Sequence, residues 1–356
     1  MKLSDLGYRE HLSDLITSEE LSGFTVGRVT QEHRERYIVS DGEHEYEAEI
    51  TGNLRFTASS REDFPAVGDW VAMTVYDSGQ AIIQKILPRK SLLARQAVGK
   101  PGEKQVISAN IDCAFVVQAI NNNFNINRLE RYLTICYSAG IEPVLVLSKT
   151  DLVSEEVIKE ATGLLEARDR RVKYILVSNI TGEGLDKVID FIQRGMTCCV
   201  IGSSGVGKST LINTLLKREA LRTGEISSST DKGKHITEHR ELFVMDNGGI
   251  IIDTPGMREL GLTDDITGIN TTFQEINDLA QKCRYPDCTH VSESDCAVLE
   301  AVENGTLDRG YYDNYIKMLK EQERFTTSVA EKHRREKQFG KLMKNYHRDM
   351  KDHGLE

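Results

Sequence analysis

No run of eighteen apolar residues occurs in the 356-residue chain, so no segment reads as a membrane-spanning helix. An excess of positive charge is also missing. Lys and Arg number 45 against 55 Asp and Glu, a formal net charge of −10, which argues against a general nucleic-acid binder. The N-terminus lacks the apolar core of a signal peptide, so the expectation is a cytoplasmic chain whose thiols stay reduced. On that expectation the seven cysteines are not a disulfide framework. Cys113, Cys136, Cys198 and Cys199 lie in apolar stretches and read as small core residues.

What is present is a set of nucleotide motifs. Gly202-Ser203-Ser204-Gly205-Val206-Gly207-Lys208-Ser209 matches the Walker A phosphate loop. Residues 197–201 read as a buried strand before it and 209–216 as a helix after it, which is the context the match requires. The glycines let backbone amides face phosphates, and the helix N-terminus adds positive potential. Lys208 would reach the β- and γ-phosphates, and Ser209, followed by Thr210, would place its hydroxyl on Mg²⁺. Residues 249–253 form an apolar strand ending in Asp253-Thr254-Pro255-Gly256. Asp253 sits where a carboxylate holds Mg²⁺ through water, and the Gly256 amide could sense the γ-phosphate. Between these motifs residues 227–237 are polar and without period, as a switch loop is. Thr237 is the choice for a second Mg²⁺ ligand, with Thr230 in the same loop.

Base selection falls to an upstream segment. Residues 143–147 read as a buried strand, and Ser148-Lys149-Thr150-Asp151 follows at its C-terminal end, where ligands gather in open α/β sheets. The Asp151 carboxylate can accept from N1–H and the 2-amino group of guanine. Adenine offers neither donor, so a buried Asp151 left unpaired would reject ATP. Lys149 would lay its stem along the base. A second strand at 173–177 ends in Ser178-Asn179, where a backbone amide could reach the guanine O6. Ordinary GTPases carry the guanine segment after the phosphate loop; here it comes before.

That order resembles the circularly permuted GTPases, and nearly the whole chain resembles the small-subunit-dependent RsgA (YjeQ/EngC) family among them. The resemblance is carried by Ile107-Ser108-Ala109-Asn110-Ile111-Asp112, Lys149-x-Asp151, the phosphate loop, Gly233-x-His235-x-Thr237, Asp253-Thr254-Pro255-Gly256 and a Cys/His cluster. It implies slow GTP hydrolysis stimulated by the small (30S) ribosomal subunit, with a role in that subunit's late maturation. Two departures stand out. Ser148 replaces the usual Asn, at a cost in base contact and affinity. The switch reads Gly233-Lys234-His235-Ile236-Thr237-Glu238, which keeps a central Thr but not its neighbours. Met257 stands where ordinary GTPases orient the attacking water with Gln, so weak intrinsic turnover is expected. The resemblance offers His235 for that role. The alternative class is an RNA-binding assembly factor whose guanine-nucleotide site is structural or nearly inert.

The remaining cysteines group with one histidine, as Cys283-x4-Cys288-x-His290-x5-Cys296. Three thiolates and an imidazole make a closed tetrahedral set suited to structural Zn²⁺, and the resemblance includes this pattern as the family's zinc site. Residues 24–87 show five short β-rich runs, with Asp41-Gly42 as a hairpin-type turn. They suggest a small barrel, an OB-fold or an SH3-like barrel, and the resemblance implies an RNA-binding OB domain. Tyr37 and Phe56 could stack bases, although core packing is the stronger reading of each. A basic, turn-rich linker is expected over 87–102. The fold expectation is α/β and multidomain: an OB-like barrel with a helical lead-in over 1–95, a permuted GTPase domain over 96–262 and a helical zinc-binding domain over 263–356. Residues 332–351 carry eight Lys or Arg against Glu336 and Asp349, a tail suited to rRNA phosphates. A monomer that binds GTP or GDP, Mg²⁺ and one Zn²⁺ is expected.

Overall fold

Five short strands open the structure: β1 (Thr25–His33), β2 (Arg36–Ser40), β3 (Glu45–Ile50), β4 (Trp70–Asp77) and β5 (Gln80–Ile86). The computed structural model describes residues 2–8, 23–33, 36–97, 102–121, 124–168, 171–217, 240–254, 261–263 and 265–352. The strands pair in the order β1-β2-β3-β5-β4, and β4 returns to β1, closing a barrel. Parallel pairing of β3 with β5 gives it OB-like topology. Val29, Val39, Ala48, Val71, Met73 and Ile83 fill its interior. At the Asp41-Gly42 turn the Asp41 carboxylate accepts from the amides of Glu43 and His44 at 2.8 and 2.7 Å. Tyr37 is buried in this core. Phe56 is not: it is 90 % exposed on the short helix Gly52–Thr57, which turns Leu54 towards the barrel instead. The expected N-terminal helix appears as a 3-10 turn, Leu3–Leu6, and the rest of that lead-in lies outside the described residues.

The stretch expected to be a linker contains β6 (Leu92–Gln96), which pairs with β7 (Lys104–Ala109) in a separate hairpin. Its apolar side chains explain the difference, since Leu93 and Ile107 are buried in the main core. Then follow β8 (Cys113–Ala119), β9 (Glu142–Ser148), β10 (Tyr174–Val177), β11 (Thr197–Gly202), β12 (Arg240–Val244) and β13 (Ile250–Asp253). The order β10-β9-β8-β11-β13 is parallel throughout, and β12 is antiparallel at the end. Helices cover both faces, which is why these strands read as continuous apolar runs. Cys113, Cys136, Cys198 and Cys199 are free and buried there.

The barrel and the nucleotide sheet are hydrogen-bonded together. Beyond a bulge between Val29 and Gln31 the end of β1 stays paired with β2, and its other edge, which pairs with β4 as far as Arg28, pairs with β12 through Gln31–Glu241 and Glu32–Arg240. Beneath this join Arg28 is 1 % exposed. Its guanidinium donates to the carbonyls of Leu6, Gly68 and Asn110 and to the Thr197 hydroxyl. Thr197 begins β11, whose other end is the phosphate loop. Asp112 accepts from the Thr197 amide at 2.8 Å, and Asn110 donates to the Gly68 carbonyl at 3.1 Å. The motif over residues 107–112 is thus the seam between barrel and nucleotide sheet.

The C-terminal part is helical: Thr267–Thr272, Gln274–Ala280, Ala297–Glu303 and the 44-residue Arg309–Asp352. It packs on the helix Ile126–Ser138, which is capped by Asn125 and follows β8. Arg131 of that helix makes a bidentate pair with Glu321 at 2.6 Å on both arms. Buried Glu130 accepts from Arg168 at 3.0 Å and from Asn314. No helix among the described residues is long and apolar enough to cross a membrane.

Candidate nucleotide site and metal cluster

The two nucleotide motifs meet at the C-terminal edge of the parallel strands. The phosphate loop leaves β11 and enters the helix Lys208–Leu215, while the guanine segment leaves β9. Gly202 (φ 148°) and Gly207 (φ 94°) require glycine on two grounds, conformation and space. A Cβ on Gly202 would lie 2.3 Å from the Val117 carbonyl oxygen, and one on Gly207 would lie 2.7 Å from the Asn179 amide nitrogen. Lys208 Nζ donates to the Ser203 carbonyl at 2.7 Å, so the ammonium lies over the loop. Ser209 and Thr210 follow in the first helical turn, half-buried, and Ser204 and Gly205 are exposed at the loop's crest.

Hydrogen bonds fasten the guanine segment to the phosphate loop. Ser148, 1 % exposed, donates its hydroxyl to the Val206 carbonyl at 2.7 Å. Asn179 donates to the Gly207 carbonyl at 3.1 Å, and its own buried oxygen has no protein partner. Lys149 takes a left-handed conformation, φ 63°, and turns the chain out of β9. The Ser178 hydroxyl donates to Asp151 Oδ1 at 2.7 Å and accepts from the amides of Ile180 and Thr181. Without nucleotide the Asp151 carboxylate is exposed, and Ser178 orients it. The reason is local: β9 ends at Ser148, so Asp151 already lies on the outward turn.

Asp253 ends β13 in register with Val200. Burial pushes its carboxyl up to about 6, against the pull of the Lys208 ammonium. Thr254 behind it donates to the Val200 carbonyl at 2.8 Å, which binds this exit to β11. A half-buried carboxylate facing a phosphate loop with a hydroxyl at Ser209 fits Mg²⁺ chemistry, because a divalent cation favours the ionised form. His235, Thr237 and Gly256 lie outside the described residues, as does Met257.

One neighbour of the loop was not found from the sequence. Arg128, in the first turn of helix Ile126–Ser138, donates from Nη1 to the Ser203 hydroxyl at 3.5 Å. It precedes the loop by more than seventy positions and belongs to no nucleotide motif, so spacing gave no signal.

The four residues Cys283, Cys288, His290 and Cys296 come together, with one ligand atom from each within 4.8 Å of the others. His290 Nδ1 lies 3.6 Å from Cys283 Sγ and 3.4 Å from Cys296 Sγ. Glu293 folds the intervening loop by accepting from the amides of Thr289, Val291 and Ser292. The His290 carbonyl accepts from the Tyr312 hydroxyl at 2.7 Å, which ties the cluster to the long C-terminal helix. Three thiols and an imidazole nitrogen turned inward are a donor set for a soft or borderline divalent cation.

A sequence model of the RsgA GTPase family matches residues 86–263. The small ribosomal subunit biogenesis GTPase RsgA 1 of Bacteroides thetaiotaomicron is 38 % identical over 342 residues, 96 % of this chain and 95 % of that protein. The chain belongs to the RsgA GTPase family. The corresponding RsgA 2 of Lactiplantibacillus plantarum is 40 % identical over 338 residues, 92 % of this chain and 94 % of its own length. Among solved structures, YjeQ from Thermotoga maritima superposes with a TM-score of 0.63 at 27 % identity, covering 84 % of this chain and 98 % of that one. YloQ, described as a circularly permuted GTPase, shares the fold with a TM-score of 0.59 at 21 % identity, over 88 % of this chain and 98 % of its own. An ABC transporter model also matches residues 186–348, less than half of the chain and a stretch that contains the phosphate loop. The RsgA assignment accounts for both the guanine segment upstream of that stretch and the barrel.

Proposed function

We propose that this RsgA-family chain hydrolyses GTP in a cycle stimulated by the small ribosomal subunit and coupled to that subunit's late maturation. The observation that carries the reading is the fastening of the guanine segment to the phosphate loop by Ser148–Val206 and Asn179–Gly207. One nucleotide can span both only if its base lies at Asp151 and its phosphates at Lys208. In that reading Ser148, Lys149, Asp151, Ser178 and Asn179 bind the base side. Gly202 to Thr210 cradle the phosphates, with Gly256 at the γ-phosphate. Mg²⁺ would be held by Ser209, Thr237 and, through water, Asp253, and it would neutralise charge on the phosphate oxygens. His235 orients the attacking water in place of the missing Gln. The names of the relatives support the small subunit as partner, and with it the cytoplasm as location.

The Cys283–Cys288–His290–Cys296 set would hold one structural Zn²⁺, which leaves no ligand position open for catalysis. The barrel over 1–95 would bind rRNA, the GTPase domain would run over 96–262, and the zinc-binding domain over 263–356 would carry a basic tail to rRNA phosphates. Glu321 supports coupling between the last two, because it also accepts from the Leu262 amide at 3.1 Å, where the second switch rejoins the described chain.

A second reading, an RNA-binding assembly factor with a nearly inert nucleotide site, draws on Met257 and Ser148. Lys208→Ala separates the two. Loss of assembly activity with hydrolysis supports the switch. Assembly in cells that express Lys208→Ala at the parent's rate supports the inert site.

A further inference from the structure

We infer that Arg128 is a second phosphate-site cation, acting in cis on the terminal phosphate of the bound nucleoside triphosphate; this rests on the nucleotide reading above. Two cations meet at one residue of the loop. Lys208 Nζ bonds the Ser203 carbonyl at 2.7 Å, and Arg128 Nη1 bonds the Ser203 hydroxyl at 3.5 Å. Among the described residues no carboxylate lies within ion-pair distance of Arg128. It also stands in the first turn of a helix, where the positive end of the peptide dipoles disfavours a cation. A guanidinium kept half-buried against both penalties, beside a loop built for phosphate, is matched by an anion at that loop.

The helix that carries Arg128 is held firmly. One turn on, Tyr132 is buried; Arg131 is clamped to Glu321; buried Glu130 is held by Arg168 and Asn314. The guanidinium is therefore presented from a fixed support, as stabilisation of transition-state charge requires. Phosphoryl transfer spreads negative charge over the terminal oxygens, and an arginine at that place is worth a large factor in turnover. Arg128 supplies the charge that a water-orienting residue does not. GTP and water give GDP and phosphate with no change in bonding at the guanidinium, which donates hydrogen bonds only.

The test uses the full chain with Arg128→Ala and Arg128→Lys, and two readouts. In binding, a non-hydrolysable GTP analogue should weaken about tenfold in Arg128→Ala while GDP stays within about twofold, because the contact is to the terminal phosphate alone. In turnover with small subunits, kcat for GTP should fall on the order of 10³-fold, with Arg128→Lys intermediate. Equal losses for GDP and the analogue would overturn the inference, since they mean that Arg128 merely supports the loop. Turnover and analogue affinity like those of the parent would overturn it as well. If the parent itself does not hydrolyse GTP, the proposed function fails, while the ratio of analogue to GDP affinity still decides the Arg128 contact.

Discussion

Glu321→Ala is the perturbation that bears most directly on how the C-terminal helix is joined to the nucleotide domain. Three bonds are lost: two 2.6 Å arms to Arg131 and the 3.1 Å bond from the Leu262 amide. The carboxylate is held below the usual range because these donors, Arg131 foremost, outweigh the burial that opposes them. Fully exposed pairs contribute under about 1 kcal/mol, and hydrogen bonds to charged groups about 1.5–3. The Arg131 and Glu321 side chains are 22 % and 29 % exposed, so a loss of about 2 kcal/mol is expected for the set. That corresponds to a roughly thirtyfold change in a local opening equilibrium. Amide hydrogen exchange is the assay, read at Leu262 and along residues 309–325. Protection should fall by about that factor in both places. Arg131→Met should give a similar loss, and the double variant should lose less than the sum of the two. Additive losses, or unchanged exchange at Leu262, would refute the idea that Glu321 is a junction.

Glu130 predicts a pH dependence. Burial pushes its carboxyl up to about 7, with Asn314 and Arg168 pulling the other way. The folded state then keeps a proton that the unfolded chain releases, so stability falls as pH rises from about 4.5 to 7, by about 3 kcal/mol in all. Glu130→Gln should flatten that slope in thermal denaturation between pH 5 and 8; an unchanged slope would assign it elsewhere. Ser148→Ala leaves the Val206 carbonyl unpaired and should weaken guanine-nucleotide binding about fivefold by titration, with no new affinity for ATP. Metal analysis should find one Zn²⁺ per chain. Its removal by a chelator, or Cys288→Ser, should unfold the segment around residues 283–303, seen as lost exchange protection, because metal and folding free energy are shared there.

The parts legible in the sequence are those in which local pattern and chemistry coincide. The phosphate loop, the apolar strands before it and before Asp253, the short barrel strands and the Cys/His spacing all state their structure within a short stretch of chain. The barrel's closure was open between two topologies, and it was decided by the parallel β3–β5 pairing, which only tertiary structure supplies. What could not be read depends on long-range partners. Arg28 looks like an ordinary strand residue until its four acceptors are assembled from four distant segments. Ser148 looked like a weakened base contact, yet its hydroxyl belongs to the phosphate loop. Phe56 was misjudged for burial, because its short helix does not show in periodicity. Residues 92–96 read as linker because their strand partner follows a turn and their burial comes from helices elsewhere.

A guanine-nucleotide switch on the small ribosomal subunit shows itself in hydrolysis with and without purified small subunits, with ATP as the control. Slow GTP turnover alone, strong stimulation by the subunit, and no turnover of ATP in either case are expected. GTP that binds but is hydrolysed no faster when the subunit is added would contradict it and favour the inert-site assembly factor.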